Sequence, residues 1–177
     1  MAREERVDLV DARDRVVGSA TLAECVDRGL LHRAVAVVIT RRDGRVILQQ
    51  RSKRDAWHPG RWTLSCTGHV RKGESYEDAA SRELKEEIGI RAGLSAVKRC
   101  LLPPMRDRGM TEREWVALFE ATSDALVKID PVELEGVKEF TEEELGDMLD
   151  GGALTPDAVI LLTEYLRSRH RGRSPQS

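Results

Sequence analysis

The sequence predicts an α+β domain built on a mixed β-sheet flanked by helices. Three observations lead there. Short β-branched apolar runs are bounded by turn residues, capped helical stretches lie between them, and the 177-residue length suits one core rather than two. Residues 7–10 and 15–17 read as strands around a turn at Asp11–Asp14. Thr21 with Glu24 three places on forms a capping box, and the short helix it opens stops at Gly29. Residues 33–40 (RAVAVVIT) form a buried strand, Asp43-Gly44 turns the chain, and residues 46–50 return. Residues 62–70 read as a strand, or a strand and loop. Ser75 with Asp78 opens a helix that Gly89 closes. Residues 114–121 are a further strand and Thr141 starts a short helix. Thr155-Pro156 opens a last helix with Ala158, Leu161, Leu162 and Leu166 on its inner face.

Composition excludes several classes. The charged fraction is 34% and the hydrophobic fraction 40%, while net charge is only −2. No global field then draws the chain to a nucleic-acid polymer or an anionic membrane. The longest strongly apolar run, residues 34–39, is too short to span a bilayer. The N-terminus, MAREER, carries no apolar signal core. Cys25, Cys66 and Cys100 are isolated and odd in number, which argues against a disulfide scaffold and for a reducing cytoplasm. The expectation is one domain over residues 1–170, a disordered basic tail at 171–177, and a monomer or homodimer.

Within residues 76–88 the helix crowds Glu83, Glu86 and Glu87 onto one side. Like charges three and four apart oppose a helix by roughly 0.2–0.5 kcal/mol per pair. Arg82 and Lys85 could relieve them as a solvated face, or a divalent cation could gather them. The wider pattern favours the cation. Five residues separate Gly68 from Glu74 and seven separate Glu74 from Arg82; then follow Glu83, Leu84, Glu86, Glu87, Gly89 and Ile90 in register. This stretch resembles the complete Nudix box.

The resemblance implies a Nudix fold, a mixed sheet sandwiched between helices (α/β/α), here with an N-terminal strand–helix extension. It implies Glu83, Glu86 and Glu87 as ligands of Mg²⁺ or Mn²⁺, joined by the Gly68 carbonyl, with Arg82 orienting them and Glu74 anchoring the loop. Hard oxygen donors suit those ions. It further implies hydrolysis of a diphosphate bond in a small molecule, with Glu87 or an acidic residue of a later segment such as Glu114 as base. Arg51, Lys53, Arg54, Arg61, Arg71 and Lys72 surround the box in sequence and are candidate phosphate holders.

A second set of motifs is similar to type I isopentenyl diphosphate isomerase, a branch of the same superfamily: GLLHRA from Gly29, QQRS from Gln49, HPGRWT from His58, and Gly68-His69. That likeness implies a second metal site at His32, His69, Glu112 and Glu114. The chain departs from it where it matters. Thr67 stands where the isomerase has its essential cysteine, Cys66 is one place early, and Cys25 stands at a further histidine position. In an extended segment neighbouring side chains face opposite ways, so Cys66 does not replace its neighbour. The box is also intact. The reading is therefore a Nudix hydrolase; the alternatives are an isomerase and, third, a binding module without turnover. Trp57, Trp62 and Trp115 are the candidates for stacking on a purine.

Overall fold

The computed structural model describes residues 5–129 and 134–172. A hairpin of β1 (Arg6–Val10) and β2 (Val16–Thr21) leads into α1 (Leu22–Arg28), then β3 (His32–Thr40), β4 (Val46–Arg51), β5 (Trp62–Thr63) and β6 (Cys66–His69). Helix α2 (Tyr76–Ile88) follows, then β7 (Ser95–Leu101), β8 (Met105–Asp107), β9 (Met110–Glu112), β10 (Glu114–Thr122), β11 (Leu134–Phe140), α3 (Glu142–Asp150) and α4 (Pro156–Gly172). Among the described residues nine strands join one sheet, and β8–β9 form a separate ribbon.

Strand β3 is the spine. Parallel β10 runs along it from Glu114↔His32 to Thr122↔Thr40. Its other edge is shared, with β4 taking Ile39 and Thr40 and β6 taking residues 34–37. A strand paired on both edges and covered on both faces reads as a continuous apolar run, which is why residues 34–39 lack alternation. Ala34, Ala36 and Val38 face α3 and α4, packing with Leu145, Leu161, Leu162 and Tyr165. Val35, Val37 and Ile39 face α2, packing with Ala79, Ala80, Leu84 and Ile88. The expected α/β/α sandwich results. The N-terminal extension adds its own small core of Val7, Ala20 and Cys25.

The caps form as their residue types dictate. Thr21 and Glu24 close a reciprocal box, the Ser75 side chain accepts from the Asp78 N–H, and Gly89 ends α2 at φ 68°. Four strands escape the sequence reading. Most residues of β7 are exposed or half-exposed, and β11 mixes glycine and charge, so neither carries a period of two. Their pairing with β10 and β4 makes them strands. The short β8 and β9 pair with each other and with no strand of the main sheet among the described residues. Helix α4 continues through Gly172, past the start of the expected tail, and the rest of that tail lies outside the described residues. Among the described residues no helix is long and apolar enough to cross a membrane.

Where β6 replaces β4 at the edge of β3, the sheet opens. Beyond Ile47 and Val46, β4 turns to β5 through Gln49↔Thr63 and Gln50↔Trp62. The site occupies that opening.

Candidate active site

A pocket of about 690 Å³ is lined from both faces of the opened sheet. Strand β6 divides it. Cys66 packs against the α2 core, and Gly68 lies under Glu83, while Thr67 and His69 take the opposite face. Alternation along four residues thus separates two groups of candidate ligands that share one cavity.

On the α2 face, Glu83 lies so close to Gly68 that a Cβ there would be 2.2 Å from the Glu83 Cδ. Only glycine admits the carboxylate to this position. The Arg82 guanidinium donates to both oxygens of Glu74 at 2.8 Å and to the His69 carbonyl at 3.0 Å, and also pairs with Glu83 and Glu86. Glu74 accepts in addition from the Arg71 N–H, at 2.9 Å. Burial would raise the Glu74 carboxyl, but Arg82 and Arg71 outweigh it and hold it low. This single network ties loop, strand and helix together. Glu87 lies deeper: its Oε2 accepts from Gln49 Nε2 at 3.2 Å and from the Thr67 N–H at 3.3 Å. Burial, then the Glu83 charge, pushes Glu87 up to about 7. Glu83 is also raised, by burial opposed by Arg82. Burial and the charges of Glu87 and Glu83 drive the Cys66 thiol well up, so it stays protonated beneath Glu87.

On the opposite face, His32, His69 and Glu114 place their ligand atoms within 4.8 Å of one another. His32 Nε2 and His69 Nε2 lie 3.5 and 3.4 Å from the same Glu114 oxygen. Ligands bound at about 2.0–2.1 Å in a tetrahedral arrangement stand roughly 3.4 Å apart, so the spacing fits an ion between them. His32 Nδ1 donates to the Leu30 carbonyl at 2.9 Å, which leaves Nε2, buried and without a hydrogen-bond partner, aimed at Glu114. Such an outer hydrogen bond sets the tautomer a metal-binding imidazole needs. Burial lowers the affinity of His32 for a second proton, but Cys25 and Glu114 outweigh it and raise the group to about 10. Proton or cation, the position attracts positive charge. Glu114 is held low despite burial by the two histidines, whereas burial and the Glu114 charge push neighbouring Glu112 up.

Glu112 lines the same pocket, outside the close triad. Of the six basic candidates, Arg51, Arg54 and Arg71 line it and Lys53, Arg61 and Lys72 do not. Arg51 is held there by Asp55 at 2.7 Å and the Trp57 carbonyl at 2.8 Å; Arg61 is turned to the Leu154 carbonyl at 3.0 Å. Among the tryptophans, Trp57 reaches the pocket, and Trp62 packs edge-on against Phe140 at 5.3 Å. Cys25 is buried in the N-terminal core beside His32, outside the triad. Two of the pocket residues to which the sequence reading gave no site role are Asp157 and Gln49. Asp157 lies in the first turn of α4, and Gln49 interrupts the apolar run of β4. Gln49 was legible as a polar residue where periodicity calls for an apolar one.

A sequence model of the NUDIX domain matches residues 30–161. The chain belongs to the Nudix family. A Nudix hydrolase of Pseudomonas aeruginosa, itself uncharacterised, is 32% identical over 168 residues, covering 92% of this chain and 94% of the relative. A protein of Nocardia farcinica named isopentenyl-diphosphate Delta-isomerase is 38% identical over 134 residues, covering 75% of this chain and 77% of its own. Among solved structures, DR0079 of Deinococcus radiodurans superposes with a TM-score of 0.75 at 25% identity, covering 90% of this chain and 98% of that one. The Nudix domain and the hydrolases among its relatives make this chain an enzyme of the Nudix pyrophosphohydrolase class.

Proposed function

We propose that this Nudix enzyme is a metal-dependent hydrolase that cleaves the diphosphate bond of a nucleoside diphosphate-linked compound or a related small organic pyrophosphate. The observation that carries the reading is the seat of Glu83 on Gly68, with Arg82 bracing it and Glu87 facing the same cavity. A cradle that a single methyl group would fill suits a carboxylate that must reach an ion beside a backbone carbonyl. Glu83, Glu86, Glu87 and the Gly68 carbonyl would hold Mg²⁺ or Mn²⁺. Such an ion supplies charge neutralisation on the diphosphate and a more acidic water.

The chain's own groups do the rest. Arg51, Arg54 and Arg71 sit where they can bind phosphate oxygens. Glu87, raised to about 7, is tuned to take a proton near neutral pH. Glu114 is the other candidate base; its partners keep it ionised and make it the weaker one. His32, His69 and Glu114, with Glu112 beside them, would hold a second ion, and their imidazoles favour Zn²⁺, Mn²⁺ or Fe²⁺ over Mg²⁺. Three free cysteines suit a cytoplasmic location.

The His–Glu triad also favours a second reading, isomerisation of isopentenyl diphosphate. Against it, Thr67 occupies the pocket where an acid able to protonate carbon is needed, and Cys66 faces α2. A panel of nucleotide sugars, dinucleotides, nucleoside triphosphates and prenyl diphosphates, assayed with Mg²⁺ and Mn²⁺ for released phosphate and nucleoside monophosphate, tests the proposal. Metal-dependent release from one class is expected. Silence across the panel together with deuterium uptake into isopentenyl diphosphate would put the isomerase in its place.

A further inference from the structure

Strand β4 alternates in the ordinary way until Gln49. Val46 and Leu48 enter the α4-side core and Ile47 the α2-side core, so the next α2-facing position is residue 49. A leucine or valine there would bury cleanly. Glutamine instead is 1% exposed and brings two polar ends into the interior. One end is used: Nε2 donates to Glu87 Oε2 at 3.2 Å. The other, Oε1, is buried without a partner. Rotating the amide would set its oxygen against the carboxylate oxygen, so the observed orientation is the one an ionised Glu87 requires. The Thr67 N–H donates to that same Oε2 at 3.3 Å. Both donors therefore hold the same oxygen of Glu87, and Glu87 and Gln49 line one cavity.

Resting on the hydrolase reading, we propose that Gln49 is a positioning residue of the hydrolytic centre. Its amide N–H commits Glu87 Oε2, so that Oε1 is presented to the bound ion, and its own carbonyl oxygen accepts a hydrogen from a water molecule ordered beside Glu87. A buried acceptor beside a carboxylate calls for a donor, and water in the cavity can supply one. Residues that orient metal ligands in this way are worth about 10–100-fold in metal affinity or activity.

The test uses Gln49→Met, close in shape but without hydrogen-bonding ends, with Mg²⁺ alone as the probe. By titration calorimetry its Mg²⁺ affinity should fall about 10–100-fold. Its melting temperature in chelator should stay level or rise, because an unpaired buried acceptor is gone. A merely structural glutamine would give the reverse: lowered melting and unchanged affinity. Native affinity in Gln49→Met overturns the proposal. In the unmutated protein, the Gln49 side-chain amide resonance should shift on adding Mg²⁺, and an unmoved resonance overturns it even if the variant fails to fold. Glu86→Gln separates the two levels. If it leaves Mg²⁺ affinity intact, the hydrolytic centre itself is misassigned and the proposal falls with it. If it weakens binding while Gln49→Met does not, only the role of Gln49 falls.

Discussion

Glu87 combines deep burial with one backbone donor, Thr67, and one side-chain amide donor, Gln49, and its protonation links site to stability. Its folded-state value of about 7 lies above the ordinary 4.5, so in that window the folded protein holds more protons than the unfolded chain. Stability from this group is therefore present at low pH and lost as pH rises from 4.5 through about 7. Without metal, the melting temperature of the native protein should fall relative to Glu87→Gln across that range and run parallel above it; parallel curves throughout would contradict the assignment. The same variant, like Glu86→Gln, should stay folded and lose metal-dependent turnover by orders of magnitude. Near-normal rates in either would remove these glutamates from the chemistry. Cys66 makes the complementary case. Its thiol is sealed under Glu87 and kept protonated, so Cys66→Ser should leave hydrolysis nearly unchanged, and the native chain should show no isomerase activity. Deuterium uptake into isopentenyl diphosphate that vanishes in Cys66→Ser would make that cysteine an acid after all.

At the scale of the element, β6 and α2 act as one device. Four residues of strand turn Gly68 toward the glutamate helix and His69 toward Glu114, while Arg82 reaches back to the His69 carbonyl. Gly68→Ala forces Glu83 off its seat, since a Cβ there would be 2.5 Å from both its Cγ and its Oε1. Overpacking of this kind costs about 1–3 kcal/mol. The variant should melt lower and lose Mg²⁺-dependent turnover, and retention of full activity would show that Glu83 is not held there for a ligand. The helix itself was legible because its signals are local: Ser75 caps, Gly89 stops, and Ala80, Leu84 and Ile88 form one stripe. Strand β7 was not, because nothing in seven mostly exposed residues marks it until β10 lies alongside.

At the scale of the molecule, the splayed edge between β3 and β4 brings two sets of candidate ligands of different chemistry into one cavity. Carboxylates on the α2 face suit hard ions, and imidazoles on the α4 face suit borderline ones. Protein purified without chelator should carry a transition metal that His69→Ala loses, as read by elemental analysis. Mg²⁺ affinity at the glutamates should survive that substitution. Equal metal content in the two proteins would leave His32 and His69 as hydrogen-bonding residues only.

By itself the sequence determined what depends on short separations along the chain. The spacing of Gly68, Glu74, Arg82, Glu83, Glu86 and Glu87 lies within one short strand, the loop after it and one helix, and helical geometry alone gathers Glu83, Glu86 and Glu87. The caps and the apolar run of β3 were legible for the same reason. Only the tertiary structure decided what depends on distant pairing. It set His32 beside Glu114 through a parallel register spanning 82 residues of sequence, a grouping the sequence carried only through its likeness to the isomerase, set Gln49 under Glu87, and left Lys53, Arg61 and Lys72 off the pocket that takes Arg51, Arg54 and Arg71. No local pattern encodes which edge of β3 a later strand will take. That choice comes from the burial of two apolar faces at once, which exists only when the sheet and both helix layers have assembled.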